Sequence, residues 1–127
     1  MKSTFKKYNR LNSVKTIGEL FKKGNGFGFY PLKFLILKTE LIPIASVQLL
    51  ISVPKRHFKK AVHRNRIKRL IRESYRKNIN KLWPGPESLQ GQFAIAIIYT
   101  GHHMPEYPEV ESKVIAGINK LVNNIMQ

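Results

Sequence analysis

Ala61-Val62-His63-Arg64-Asn65-Arg66-Ile67-Lys68-Arg69-Leu70-Ile71-Arg72-Glu73-Ser74-Tyr75-Arg76 reads as an amphipathic helix with a densely cationic side. At about 100° per residue, Ile67, Leu70, Ile71 and Ser74 fall within an arc of roughly 100°, the width of an apolar stripe laid on a core. Asn65, Lys68, Arg69, Arg72 and Arg76 occupy the far side. Phe58, Ala61 and Val62 come out near that basic side, so the helix is expected to begin near Val62 or His63. Tyr75 falls at the boundary of the two arcs and is expected at the edge of the core.

Apolar strands flank this helix. Upstream, Val47 to Val53 is rich in β-branched and apolar residues, as a covered strand should be, and Pro54 closes it. Downstream, Trp83-Pro84-Gly85-Pro86 forbids continuation of the helix. Phe93 to Tyr99 then forms a strand apolar on both faces and therefore central. Earlier still, Thr16 to Gly24 reads as a short helix with a basic last turn and a glycine stop, with Ile17, Leu20 and Phe21 on one face. Phe27 to Tyr30 is expected as a short strand after the turn Gly24-Asn25-Gly26, and Leu32 to Lys38 as a firmer one. Beyond the loop His102 to Tyr107, Pro108 opens a last helix whose Val110, Val114, Ile115, Ile118, Leu121, Val122 and Ile125 pack on the sheet. The order is α-β-β-β-α-β-α, an α+β class with a central mixed sheet, and residues 1–127 read as a single domain.

Composition narrows the partners. The chain carries 23 Lys and Arg against 7 acidic residues, a net charge of +16. Lys55, Arg56, Lys59, Lys60, Arg64, Arg66, Lys68, Arg69, Arg72, Arg76 and Lys77 crowd one segment, opposed there only by Glu73. Acidic residues do not alternate with them at helical spacing, so a merely solvated face would repel itself, and a bound polyanion is the better explanation. There is no cysteine, hence no disulfide and no thiolate metal site. No apolar run is long enough to span a membrane, no signal segment is visible, and a cytoplasmic address is expected. No feature calls for an obligate protein partner.

Guanidinium forks grip two phosphate oxygens at once, and an asparagine between them can bond a phosphate, a base edge or a 2′-hydroxyl. Spacing alone leaves RNA and DNA both open. The four histidines offer weaker chemistry. His102-His103 with Glu106 reads as a polar loop tip rather than a metal site. His57 or His63 with Arg64 could imitate a metal-independent nuclease pair. Phe27, Phe29 and Tyr30 are expected to fill the core or the turn, whereas Phe21 serves equally as core residue or stacking platform for unpaired bases. A ribosomal RNA-binding protein shares the same basicity and size.

His63-Arg64-Asn65-Arg66-Ile67-Lys68-Arg69-Leu70-Ile71-Arg72-Glu73, preceded by Ser52-Val53-Pro54-Lys55-Arg56 and Lys60-Ala61-Val62, resembles the signature of the bacterial ribonuclease P protein component. Asn9-Arg10-Leu11, the segment Leu20-Phe21-Lys22-Lys23-Gly24, the strand from Phe93 and the closing helix stand in that family's order. The resemblance implies an α/β sandwich with a left-handed crossover through the basic helix, against the right-handed rule for such units. It also implies a function: binding the catalytic RNA of ribonuclease P and the 5′ leader of precursor tRNA. The RNA would perform the hydrolysis with Mg2+, held mainly through the RNA; the protein would supply no catalytic nucleophile, and no residue of it is singled out as a metal ligand. By position, Arg64, Asn65, Arg66, Lys68, Arg69 and Arg72 would contact the RNA subunit. Phe21, Lys55 and Arg56 would line a leader cleft between the first helix and the sheet. Ile17 stands where the family has an aromatic residue, and His57-Phe58-Lys59-Lys60 lacks a glycine common in that loop and is one residue longer.

Overall fold

The computed structural model describes residues 10–41, 47–82 and 92–126. The expected terminator Trp83 to Pro86 and the position of Asn9 lie outside the described residues. Helix α1, Val14–Lys23, begins two residues before the expected start because Ser13 caps it, its hydroxyl accepting from the Thr16 N–H at 3.2 Å. Gly24 ends the helix with its N–H on the Leu20 carbonyl at 2.9 Å. Its backbone is extended rather than left-handed, and the glycine is needed for space: a Cβ there would collide with the Leu20 carbonyl oxygen.

Strands β1 (Asn25–Phe29), β2 (Leu32–Lys38), β3 (Val47–Ser52) and β4 (Phe93–Tyr99) form one sheet in the order β1-β2-β4-β3. β4 is interior, as its two apolar faces require. It runs antiparallel to β2 and parallel to β3, so the chain between β3 and β4 must cross over, and helix α2 (Ala61–Leu82) does so. β1 starts two residues earlier than expected: Asn25 and Gly26 pair with Ile36 and Leu35 instead of turning. Tyr30 lies in the turn, beyond the strand. Leu11 donates its N–H to the Leu49 carbonyl at 3.0 Å and so covers part of the outer edge of β3.

Strand alternation divides the core into two layers. Leu32, Phe34 and Ile36 of β2, Leu49 of β3, and Phe93, Ile95, Ile97 and Tyr99 of β4 face helices α2 and α3 (Tyr107–Met126), where they meet Ile67, Ile71, Val110, Val114, Ile118 and Leu121. Leu35, Ala94 and Ala96 face the other way, under Leu11, Leu20 and Leu41. Two alanines on the central strand make the second layer thin, which suits one short helix. Each fully buried Leu, Ile or Phe contributes about 1.5–3 kcal/mol through area removed from water.

Two expectations for α2 are corrected. The helix begins at Ala61 rather than at Val62 or His63, because the Lys60 carbonyl accepts from the N–H groups of His63 and Arg64. Ala61 and Val62 remain exposed, Val62 at 74 %, as their helical phase dictates. Phe58 stands before the helix and reaches the core independently, with its ring centre 5.8 Å from that of Tyr99. Tyr75 is not at the edge: it is 6 % exposed, inside the large core cluster.

Candidate nucleic-acid interface

Because Ile67, Ile71, Ser74 and Tyr75 are buried, the opposite side of α2 is turned outward. Asn65, Arg66 and Arg69 are exposed, and Arg64, Lys68 and Arg72 are half-buried. Long cationic side chains bury their stems and keep their charged heads in water. The six expected residues thus come from successive turns of one helix. Arg64 carries an additional duty that its sequence position does not announce: its Nη1 donates to the carbonyls of Phe58 at 2.7 Å and Lys59 at 2.9 Å. This fastens the loop from β3 to the start of α2.

Lys55 and Arg56 are exposed in that loop, in a turn closed by the His57 N–H on the Pro54 carbonyl at 3.2 Å. Phe21 lies across the sheet on α1, 50 % exposed, while its neighbours Leu20 and Ile17 pack inward. Between them the strand register exposes a strip that linear reading missed. Gly28 pairs with Lys33, Lys33 with Ile98, and Ile98 with Ser52, so these four stand in one row on the α1 side of the sheet. Gly28 and Lys33 are exposed and Ile98 and Ser52 half-buried, while the adjacent Leu35, Ala96 and Leu50 belong to the layer under α1. The row therefore forms an open floor beside the helix, with one cation at its middle and two glycines, Gly26 and Gly28, keeping β1 flat on that side. Its β3 end, Ser52, leads into Lys55 and Arg56. Only the period-2 alternation of Leu32 to Lys38 hinted that Lys33 faces away from α2.

Phe27 and Phe29 pack as expected. Phe27 stacks on Phe34 with ring centres 5.3 Å apart, and Lys120 Nζ sits 5.0 Å from the centre of the Phe27 ring. Tyr30, in contrast, is 64 % exposed and does not fill the turn. Two of the four histidines come together. His57 and His102 place their ring centres 4.0 Å apart, and His57 Nδ1 is buried without a hydrogen-bond partner. Loss of hydration, followed by the charges of His102 and Arg56, holds His57 below the usual histidine range. His103 Nε2 meets Glu109 at 3.0 Å, so its acidic neighbour is Glu109 and not Glu106. The Tyr99 hydroxyl donates to the His103 carbonyl at 2.7 Å and is pushed up to about 12 by burial. Among the described residues no group of three or more His, Cys, Asp or Glu side chains could hold a metal ion, and no helix is long and apolar enough to cross a membrane.

Comparison with known proteins gives the family and the fold. Residues 5–122 match the family model Ribonuclease P. The ribonuclease P protein component of Porphyromonas gingivalis is 31 % identical over 119 residues, spanning 94 % of this chain and 87 % of the relative. That of Clostridium botulinum is 30 % identical over 115 residues, spanning 90 % of this chain and 95 % of the relative. Among solved structures, the RNase P protein from Thermotoga maritima superposes with a TM-score of 0.65 at 21 % identity, over 87 % of this chain and 96 % of that one. The RNase P protein of Staphylococcus aureus gives 0.54 at 22 % identity, over 95 % and 94 %.

Proposed function

The chain belongs to the ribonuclease P protein family, and on that premise we propose that it is the RNA-binding subunit of a tRNA-processing ribonucleoprotein. In this reading the outer side of α2 binds the catalytic RNA of ribonuclease P. The strip beside α1, with Phe21, Lys33, Lys55 and Arg56, receives the single-stranded 5′ leader of precursor tRNA. The observation that carries the reading is the concentration of Arg64, Arg66, Lys68, Arg69 and Arg72 with Asn65 on one rigid helix whose other side is core. Such a helix presents its cations from a fixed backbone, so the ordering cost of binding is confined to their side chains.

The leader assignment rests on chemistry of a different kind. A flat floor of glycine and serine admits an extended backbone, Lys33, Lys55 and Arg56 provide charge for its phosphates, and Phe21 offers a half-open ring on which a base can stack. In this reading the Mg2+ ions that hydrolysis requires are held mainly through the RNA. The protein's share is to bind, to orient the leader and to reduce phosphate repulsion between the two RNAs.

Reconstitution tests the proposal. With a bacterial ribonuclease P RNA at low Mg2+, adding the protein should increase 5′ processing of precursor tRNA well above RNA alone; no increase would refute it. Replacing Phe21 by Ala should weaken precursor binding by about 1–3 kcal/mol, the worth of one stacked base, and leave mature tRNA binding nearly unchanged. An equal loss with both tRNAs would mean the ring is structural. Cleavage by the protein without RNA would instead revive a histidine nuclease.

A further inference from the structure

Arg76 and Lys77 close the cationic run that begins at Lys55, yet their side chains are engaged differently from those before them. Arg76 donates through both Nε and Nη2 to the Glu73 carboxylate, the Nε bond measuring 3.4 Å to Oε2. Lys77 Nζ lies 5.4 Å from the centre of the Tyr107 ring on α3. The Tyr107 hydroxyl donates to Glu111 Oε2 at 3.0 Å, and Asn78 Nδ2 donates to the same oxygen at 3.1 Å and to the Ser74 carbonyl at 2.8 Å. Arg76, Lys77 and Asn78 thus engage their own helix and α3. Glu73 is ionised throughout the neutral range: the hydrogen bond from Arg76 holds its carboxyl below the usual value, reinforced by the charges of Arg76 and Lys77 against partial loss of hydration.

We infer that Glu73 sets the C-terminal limit of the RNA-binding surface on α2, withholding Arg76 from phosphates so that the surface for the folded RNA ends at Arg72. The inference rests on the RNA-binding reading above and refines it. From Arg64 to Arg72 the helix rises about 12 Å, whereas extending the cations to Lys77 would add more than half as much again. Affinity for any polyanion grows with each phosphate neutralised, whatever its shape. A carboxylate placed against the next arginine stops that growth. A phosphate approaching Arg76 must compete with an anion already bonded through two nitrogens and meets repulsion from it. Glu73 is consequently a discriminating residue: it costs the protein little on its proper RNA and more on unrelated ones.

The test uses the full chain as wild type and as Glu73→Gln, Arg76→Gln, the double variant and Arg69→Ala. Each is titrated with a bacterial ribonuclease P RNA and with an unrelated RNA duplex across a salt series, with thermal melts to show that the variants fold. For Glu73→Gln on the unrelated duplex, the ratio of affinities between about 50 and 200 mM salt should rise roughly threefold, the increment of one added phosphate contact. The double variant should return to the wild-type ratio. Arg76→Gln alone should leave ribonuclease P RNA binding within a factor of two. An unchanged ratio in folded Glu73→Gln, or a gain that persists in the double variant, overturns the inference. So does a loss of tenfold or more for Arg76→Gln on ribonuclease P RNA, which would put Arg76 inside the interface. Should Glu73→Gln not fold, that last arm still decides. Failure of Arg69→Ala to weaken ribonuclease P RNA binding would strike the RNA-binding reading itself, and is scored separately.

Discussion

Arg64 and Arg69 lie on the same helix, but only one of them holds the protein together. Arg69 is exposed, so Arg69→Ala, like Arg66→Ala, should weaken binding to ribonuclease P RNA by about 1.5–3 kcal/mol, the worth of a hydrogen bond to a charged group, with the melting temperature unmoved. Arg64→Ala should do both kinds of damage, because its Nη1 bonds to the Phe58 and Lys59 carbonyls are lost along with any phosphate contact. Paired binding isotherms and thermal melts distinguish the two cases. His57 provides a pH prediction at the same scale. Its native pKa is depressed by lost hydration and by His102 and Arg56, while an unfolded histidine titrates near pH 6.5, roughly. As pH falls through that value the unfolded chain takes up the proton first, so the contribution of His57, fully present above it, is lost on acidification. Urea midpoints should decline below that pH less steeply in His57→Asn than in the wild type; parallel declines would contradict this.

Elements were legible where one local rule governed them. Leu32 to Lys38 and Phe93 to Tyr99 are strands with the bounds their apolar runs give. β1 was read two residues late because glycine and asparagine signal turns, and here the tertiary pairing with β2 overrode that signal. Helical phase alone puts Tyr75 at the core's edge, whereas the structure buries it in the cluster shared by the sheet, α2 and α3. The row of five cations and Asn65 could be read from one helix, but the strip Gly28, Lys33, Ile98 and Ser52 draws on four strands and exists only once their register is set. The close approach of α3 to β2 was equally hidden. It depends on Gly117, where a Cβ would overlap the Phe34 ring. Gly117→Ala should therefore destabilise the fold by about 1–3 kcal/mol through overpacking, read as a lower denaturant midpoint. An unchanged midpoint would show that the layer can yield.

At the scale of the molecule, charge is distributed by element. The basic residues concentrate on the loop after β3 and on α2, while α3 and the loop before it hold Glu106, Glu109 and Glu111. A polyanion should therefore meet the protein in one orientation. If about six phosphates are neutralised, log affinity should fall against log salt with a slope of roughly −4 to −5. Filter binding or anisotropy across a salt series measures it, and a flat line would rule out a backbone-dominated interface.

The position of β4 between β2 and β3 also fixes when the protein can begin to work during its own synthesis. The strand that joins the two halves of the sheet is the last to leave the ribosome. Until residues 93–99 emerge, β2 and β3 each wait with a bare inner edge, and the arginine helix has no floor on which to settle. Nascent chains arrested before Phe93 should accordingly be digested readily by protease and should bind RNA without preference. The finished polypeptide alone would possess a surface selective enough to choose among RNAs.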